Sequence, residues 1–301
     1  MNTSIIDQNR RYMWVRTETL FSTPHHEICQ TLLDNGFNGA VVLPSTYIEW
    51  YYPTVLFPQS DERIDGQHVL PHFIGAANFY GLDVFNWFCV GKWERFRAYL
   101  GAMTPEWNVR LDQDVGIDDD WLNLTRPDVR EAVADVASEA LNIMPGLTGI
   151  LMDYIRWPSG NEELHHHITR TVLGVSGMMK ALYPDKELLA TCFRGHSPTG
   201  KPPYRNVGQY WPDWLEDKLI DRVFVTLYKN ADEMHINLAG MPSDERISIK
   251  IRPTGDGGGL VSEVEFREMF KIVEEARFFR PGVWHYGLMK EVYWRVCRDI
   301  M

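Results

Sequence analysis

The chain has 301 residues, of which 45% are hydrophobic and 24% are charged, a composition typical of a folded globular protein. Its 41 acidic residues exceed its 30 lysines and arginines, which gives a net charge of −11. This balance argues against a nucleic-acid partner, because phosphate binding needs clustered basic residues. The longest nearly unbroken apolar stretch, residues 84–90, is far shorter than the ~20 residues of a membrane-spanning helix, so no membrane partner is expected.

The N-terminal segment and the cysteines bear on cellular location. Residues 1–11 are polar and no apolar stretch follows them, so a cytoplasmic location is expected for the chain as it stands. If a leader has been removed, a secreted or periplasmic location is expected instead. The four cysteines lie far apart without a CxxC pair, which favours free thiols over disulfides or a metal site. No cofactor and no metal are expected, and the oligomeric state is not predicted.

Eight apolar, β-rich segments alternate with helical patterns along the chain. The predicted strands are residues 12–17, 39–43, 82–90, 148–152, 188–193, 222–228, 247–251 and 283–286. The predicted helices are residues 27–35, 69–80, 128–143, 162–182, 213–219 and 263–279. Gly36 and Gly81 are placed to end the first two helices, Pro127 to start the third, and Ser262 to cap the last.

Eight strands with intervening helices predict an α/β protein with a single (β/α)8 TIM barrel over residues 1–301. The competing fold, an open doubly wound sheet, usually carries a glycine-rich phosphate turn after its first strand. Residues 16–19 (RTET) contain no glycine at that position. The GDGGG run at 255–259 follows the seventh strand, where it favours a flexible loop over a phosphate site.

In such a barrel, catalytic groups lie at the carboxyl ends of the strands. The clearest candidate is Asp153, which follows a short apolar strand and precedes Arg156. Strand alternation places its carboxylate at the barrel mouth, where Arg156 would favour its charged form. The alternative is that this Asp–Arg pair only fixes the loop.

Further candidates follow the other strands. Glu49 lies among aromatic residues after the second strand, and Glu18 follows the first. Either is a possible partner for Asp153, and Glu49 is the first choice. The predicted substrate-binding residues are Trp87, Arg156, Trp157, Arg194, Tyr228, Lys250, Trp284 and Tyr286. Aromatic rings would stack on sugars and the cations would orient hydroxyl or carboxylate groups, so a carbohydrate substrate is predicted.

The same residues resemble a bacterial family of predicted glycoside hydrolases. The hallmark of this family is the pattern W-L-N-P…P-x-V-R, followed by a helix and then by G-I-x-F-D-Y-x-R-Y-P. Three segments of this chain are similar to it: WLNL at 121–124, PDVR at 127–130 and GILMDYIRWP at 149–158. The family is distantly related to the hydrolase domain of the poly-N-acetylglucosamine deacetylase. The resemblance implies a (β/α)8 barrel, glycosidic bond hydrolysis and a catalytic role for Asp153.

The chain departs from this family around the expected cleft. Asn86 replaces the histidine of the third strand, and Cys89 an asparagine, while Val225 and Thr226 replace the Pro-Met of the sixth strand. The resemblance therefore implies a glycoside hydrolase without specifying the sugar.

The predicted function is hydrolysis of a glycosidic bond in a polysaccharide or oligosaccharide, which generally uses two carboxyl groups. Cys192, Phe193 and Arg194 end the fifth strand, where several barrel glycosidases carry an acid. A substrate acetamido group is therefore an alternative to the second acid. Two other functions stay open. A non-catalytic carbohydrate-binding barrel would need no paired acids, and a uronate polysaccharide lyase would need a base such as His285 or Lys250.

Overall fold

Parallel strands form the centre of the molecule. The structure, a computed structural model, describes residues 10–44, 50–56, 61–91, 121–157, 162–194, 203–228, 230–239, 241–242, 244–254, 259–276 and 278–300. The barrel strands are β1 (Tyr12–Val15), β2 (Gly39–Val42), β3 (Asp83–Cys89), β4 (Gly149–Asp153), β5 (Glu187–Phe193), β6 (Arg222–Thr226), β7 (Ile247–Ile251) and β8 (Phe279–Val283). They close in sequence order, each parallel to both neighbours, with β8 pairing back to β1. The predicted (β/α)8 barrel is thus confirmed, and the single domain over residues 1–301 stays a prediction.

Helices surround the barrel. They are Thr17–Ser22, His25–Asp34, Val69–Phe79, Pro127–Ile143, His165–Leu182, Pro203–Asn206, Trp211–Glu216, Ala231–Leu238, Glu263–Glu275 and Glu291–Asp299, with 3-10 turns at Glu162–Leu164 and Tyr286–Leu288. A short antiparallel hairpin, Arg63–Ile64 with Gln67–His68, precedes the third of these helices. Within the described ranges, no helix combines the length and the apolarity that crossing a membrane requires.

Local sequence signals set several helix ends as predicted. The Ser262 hydroxyl accepts a hydrogen bond from the Glu265 N–H at 3.1 Å, capping the helix that follows. Pro127 occupies the first turn of its helix, where a missing N–H costs no hydrogen bond. Gly36 and Gly81 have φ of 74° and 72°, the left-handed conformation that ends a helix.

The last strand differs from its prediction. The segment 283–286 is predicted as the strand, whereas β8 spans Phe279–Val283 and runs through Pro281 and Gly282. The helix predicted to continue to residue 279 ends at Glu275. Gly282 belongs inside the strand because the Trp14 ring fills the space of a side chain there: a Cβ on Gly282 would lie 2.5 Å from a Trp14 ring carbon. Close packing, rather than a turn, accounts for this glycine.

Aromatic rings fill much of the barrel interior. The inward-facing buried cluster includes Tyr12, Trp14, Phe85, Trp87 and Phe224. Trp14 and Phe224 meet edge to face, with ring centroids 5.1 Å apart. A larger apolar cluster lies between the strands and the helices. Much of the chain's aromatic content is therefore core packing, and only the rings near the carboxyl ends of the strands bear on a binding site.

Candidate active site at the barrel mouth

Asp153 is the last residue of β4 and lies at the carboxyl end of the barrel. Its strand is buried along its whole length, and Asp153 itself is 8% exposed. Its strand neighbour in β3 is Cys89. A carboxylate in this position is removed from bulk water but still adjoins the opening of the barrel, as catalytic groups of this architecture do.

Three N–H donors face the Asp153 carboxylate. The Trp87 indole donates to Oδ2 at 2.9 Å, and the Lys250 ammonium lies 3.5 Å from the same oxygen. The Tyr154 backbone N–H donates to Oδ1 at 2.8 Å. Tyr154 has φ of 50°, the left-handed region that residues other than glycine rarely adopt, and this turn brings its N–H back towards the carboxylate. The contacts are complementary to a charged carboxylate.

Lys250, on β7, lies in an aromatic cage beneath this carboxylate. Its ammonium is 4.6 Å from the centroid of the Trp14 ring, 4.8 Å from Trp284 and 5.7 Å from Tyr228. The side chain is only 3% exposed. Burial lowers the pKa of Lys250 below its ordinary value, and attraction to Asp153 opposes that shift. Ring faces and one carboxylate thus replace the water that the ammonium loses.

A pocket of about 180 Å³ opens above this pair, and we call it the mouth pocket. Its lining residues are Asp153, Tyr154, Arg156, Thr191, Cys192, Phe193, Gln209, Thr226, Tyr228, Lys250 and Trp284. Asp153 is the one acidic side chain among these described lining residues. The Thr191 hydroxyl is buried and makes no hydrogen bond to any described residue. Burial and the Asp153 charge raise the pKa of Tyr228 well above its ordinary value, so its hydroxyl is a neutral donor.

Most of the predicted site residues come together here. Trp87 bonds Asp153, while Lys250, Tyr228, Trp284 and Arg156 line the mouth pocket. The Trp87 and Trp284 rings also meet edge to face with centroids 4.8 Å apart.

Arg156 is held between aromatic faces rather than by Asp153. Its guanidinium is 4.6 Å from the centroid of Trp121 and 5.0 Å from that of Phe193. It also donates to the Trp157 carbonyl at 3.2 Å. The cation that pairs with Asp153 is Lys250, so the expected Asp153–Arg156 pair is replaced by a pair across the barrel.

Four other predicted site residues neither line the mouth pocket nor bond to Asp153. Trp157 is 1% exposed and its indole donates to the Leu164 carbonyl at 3.1 Å, so no face is open for stacking. Tyr286 packs against Trp294, with centroids 5.4 Å apart.

The remaining two are charged. Glu18 is exposed and pairs with Arg16 at 3.0 Å, away from the mouth pocket lining. Arg194 is half-buried just after β5 and does not line the pocket. Glu49, the first choice for a second acid, lies outside the described residues.

Several residues of the site were not predicted from the sequence, among them Thr191, Trp14 and Gln209. Trp14 forms part of the aromatic cage around Lys250. It lies two residues after Tyr12 on β1, so strand alternation would have placed its side chain inside the barrel with that of Tyr12. Gln209 ties the end of β5 to the next loop: its carbonyl accepts from the Phe193 N–H at 2.9 Å and its amide donates to the Thr191 carbonyl at 3.2 Å. No local pattern marks Gln209, which lies outside the strands.

No family model matches the chain, and no curated protein matches it. Solved structures do match. The PgaB (BpsB) glycoside hydrolase domain from Bordetella bronchiseptica is 10% identical, with 97% of this chain and 98% of that chain covered and a TM-score of 0.69. A class V chitinase from Pseudomonas fluorescens Pf-5 is 9% identical, covering 97% and 100%, with a TM-score of 0.62. The spore cortex-lytic enzyme SleL from Bacillus cereus is 10% identical, covering 96% and 73%, with a TM-score of 0.61. At these identities the chain shares the barrel fold of glycoside hydrolases, and the motif-defined family stays a prediction.

Proposed function

We propose that the protein is a glycoside hydrolase that cleaves a glycosidic bond in a polysaccharide or oligosaccharide, with Asp153 as a catalytic carboxylate. The observation that carries the proposal is the position of Asp153: a partly desolvated carboxylate on the floor of an aromatic-lined pocket at the carboxyl end of the barrel. The fold shared with glycoside hydrolases supports the same reaction class.

The contacts of Asp153 favour one role. Three N–H donors point at its oxygens, an arrangement that suits a charged carboxylate rather than a proton donor. A charged carboxylate stabilises the positive charge that develops on the sugar ring, either as the nucleophile or as an electrostatic partner. Asp153 is accordingly proposed as the nucleophile or stabiliser and not as the general acid.

The general acid must come from another group. Retaining enzymes hold the two carboxyl groups about 5–5.5 Å apart and inverting ones about 6.5–9.5 Å apart. Glu49 stays the proposed partner, because Glu18 is engaged with Arg16 on the surface. If the substrate carries an acetamido group, that group can act as the nucleophile, and Asp153 then stabilises the charge that forms on it.

Other residues supply binding and positioning. Trp284 and Tyr228 are proposed to stack on sugar rings, and Arg156 to orient hydroxyl groups. Lys250, expected to bind substrate, is proposed instead to position Asp153, because its ammonium is buried and lies against that carboxylate. Thr191, whose hydroxyl is without a described partner, is proposed to hydrogen-bond the sugar.

A carbohydrate-binding barrel without catalysis is the second candidate. It is favoured by the single carboxylate among the described residues of the mouth pocket, and by the engagement of that carboxylate with Lys250. A uronate lyase has less support. Lys250, one of its two candidate bases, is held in an ion pair, and His285, the other, does not line the described pocket.

The test is product analysis in H₂¹⁸O with chitohexaose, stachyose and a polyuronate as substrates. Hydrolysis places one ¹⁸O at the new reducing end, whereas a lyase leaves an unsaturated, ultraviolet-absorbing end without ¹⁸O. The variant Asp153→Asn is expected to lose about 10³-fold or more in kcat. Asp185→Asn, at an exposed aspartate, is the matched control and keeps full activity.

Binding without any cleavage of a bound oligosaccharide would support the carbohydrate-binding barrel. Full activity of Asp153→Asn on a substrate that the wild type hydrolyses would remove Asp153 from the mechanism. Thermal unfolding of each variant, recorded alongside, separates loss of chemistry from loss of fold.

A further inference from the structure

A second pocket lies among the loops that follow β1 and β2, and we call it the rim pocket. Its volume is about 510 Å³, against about 180 Å³ for the mouth pocket, and it falls in the size range of small-molecule sites. The two pockets share no lining residue. Histidines from the first turns of two helices, His25 and His72, face it, and the hairpin turn at Asp65 lies across it.

Hydrogen bonding fixes the protons of the two histidines. The Nε2 of His25 lies 3.0 Å from the Leu20 carbonyl, which can only accept, so this nitrogen carries a proton. Burial lowers the pKa of His25 to about 4, so the ring is neutral and its Nδ1 is unprotonated. The Nδ1 of His72, 2.7 Å away, must therefore donate to it. The Nε2 of His72 is the ring nitrogen left at the rim pocket.

A carboxylate lies beside this nitrogen. The Asp65 Oδ2 lies 3.5 Å from the His72 Nε2, and the Asp65 side chain is 89% exposed. Asp65 and Gly66 both have positive φ, 50° and 78°, in the two-residue turn of the hairpin, and this turn aims the carboxylate. Asp65 and the His72 Nε2 are therefore adjacent polar atoms at the rim pocket, placed where the hydroxyl groups of a ligand can hydrogen-bond to both.

Apolar surface completes the rim pocket. Phe21 is 39% exposed, and its ring is held edge to face by Tyr51 at a centroid distance of 4.8 Å. Leu20 and Ile64 add aliphatic surface to the lining. One face of the rim pocket thus suits C–H groups, while Asp65 and His72 suit O–H groups.

We propose that the rim pocket is a second saccharide-binding site, in which neighbouring sugar hydroxyls hydrogen-bond to Asp65 and His72 while the C–H face of the ring packs on Phe21. The sugar class rests on the proposed function of the barrel. A metal ion fits less well, because the described residues contain no group of three metal-ligating side chains arranged to hold one. An anionic sugar is disfavoured by the Asp65 carboxylate.

The test is binding of chitohexaose and of stachyose, measured by calorimetry and by NMR of the histidine ring nitrogens. In Trp284→Ala, which removes a ring of the mouth pocket, one site is expected to remain, and the sugar is expected to shift the His72 Nε2 resonance. Adding Asp65→Asn or Phe21→Ala to this variant is expected to weaken the remaining site about tenfold or more. Asp185→Asn and Phe79→Ala, at exposed positions outside both pockets, are the matched controls.

The inference is overturned if Trp284→Ala binds neither sugar, or if Asp65→Asn and Phe21→Ala bind like their controls. A shift of His72 by Zn²⁺ but by neither sugar would also overturn it. Failure of the proposed function is measured separately, by the hydrolysis assay. If the wild type does not hydrolyse any substrate, binding at the rim pocket can still be measured. If the wild type hydrolyses a substrate but the rim pocket binds no sugar, the mouth pocket alone is the saccharide site and this inference fails.

Discussion

Buried charges occur at both ends of the barrel, and the two ends differ in what surrounds them. At the amino end, Arg222 donates to the Tyr12 hydroxyl at 3.4 Å, and Tyr12 donates to Asp83 at 3.2 Å. Arg10 bridges Asp83 at 2.9 Å and Glu187 at 3.6 Å. Two arginines thus face two carboxylates, and none of these residues lines either pocket.

At the carboxyl end the ion pair of Asp153 with Lys250 lies on the floor of an open pocket. The ammonium is caged by aromatic rings, and a neighbouring hydroxyl, that of Thr191, is without a described partner. A buried charge alone therefore does not identify a site, since structural networks perturb charges as well. The two ends differ in the pocket: the described residues of the amino-end network line neither pocket, whereas the carboxyl-end pair lines the mouth pocket.

The largest expected effect comes from removing one partner of the Asp153–Lys250 ion pair at the carboxyl end. Lys250→Met leaves the Asp153 carboxylate buried without its cation, so the free energy of unfolding is expected to fall by about 3–5 kcal/mol. The double variant Asp153→Asn/Lys250→Met removes both charges and is expected to regain most of this stability without regaining hydrolysis. Chemical denaturation of the three proteins measures the first effect, and product release measures the second.

The variant Lys250→Arg tests whether the positive charge of Lys250 positions Asp153 or whether the side chain only fills space. It keeps the charge and is expected to retain more activity than Lys250→Met, measured below the unfolding temperature of both. Equal activity of Lys250→Met and wild type would show that Lys250 does not position Asp153.

The fold and half of the site followed from sequence because both rest on short-range patterns. Strand alternation placed Asp153, the position near a strand end placed Trp87, and the capping residues placed the helix ends. The prediction that Trp157 stacks on sugar is corrected by the structure. Its position after a strand end resembles that of a cleft residue, and only the three-dimensional packing shows that its indole donates to the Leu164 carbonyl. The Lys250–Asp153 pair joins residues 97 apart in sequence, a contact that no local pattern encodes.

The amino end is expected to respond in stability but not in activity. Arg222→Met removes a cation that faces Tyr12 and the neighbouring carboxylates, and it is expected to cost about 3 kcal/mol of unfolding free energy. The kcat on a hydrolysed oligosaccharide is expected to stay at the wild-type value. A drop in kcat of the folded variant would mean that the two ends are coupled through the barrel.

A smaller effect tests the packing beneath the mouth pocket. In Gly282→Ala the new methyl group would overlap the Trp14 ring, which supports Lys250, so a loss of about 1–3 kcal/mol is expected. Gly174→Ala, in a helix with open space at that position, is the matched control and is expected to stabilise the protein by about 0.5–1 kcal/mol. Equal unfolding temperatures for the two variants would contradict tight packing at Gly282.

The smallest effect concerns pH at the amino end. Burial raises the pKa of Glu187 above its ordinary value, with Arg222 and Arg10 opposing the shift. The folded state therefore binds this proton more tightly than the unfolded state, so the contribution of Glu187 is most favourable below pH 4.5 and is lost as the pH rises through the folded-state pKa. Glu187→Gln, which mimics the protonated form, is expected to gain stability relative to wild type between pH 4 and pH 7. Unfolding curves of both proteins across that range show whether the variant is more or less stable than the wild type. If the variant instead becomes less stable than the wild type towards pH 7, pairing of Glu187 with the arginines outweighs the cost of its burial.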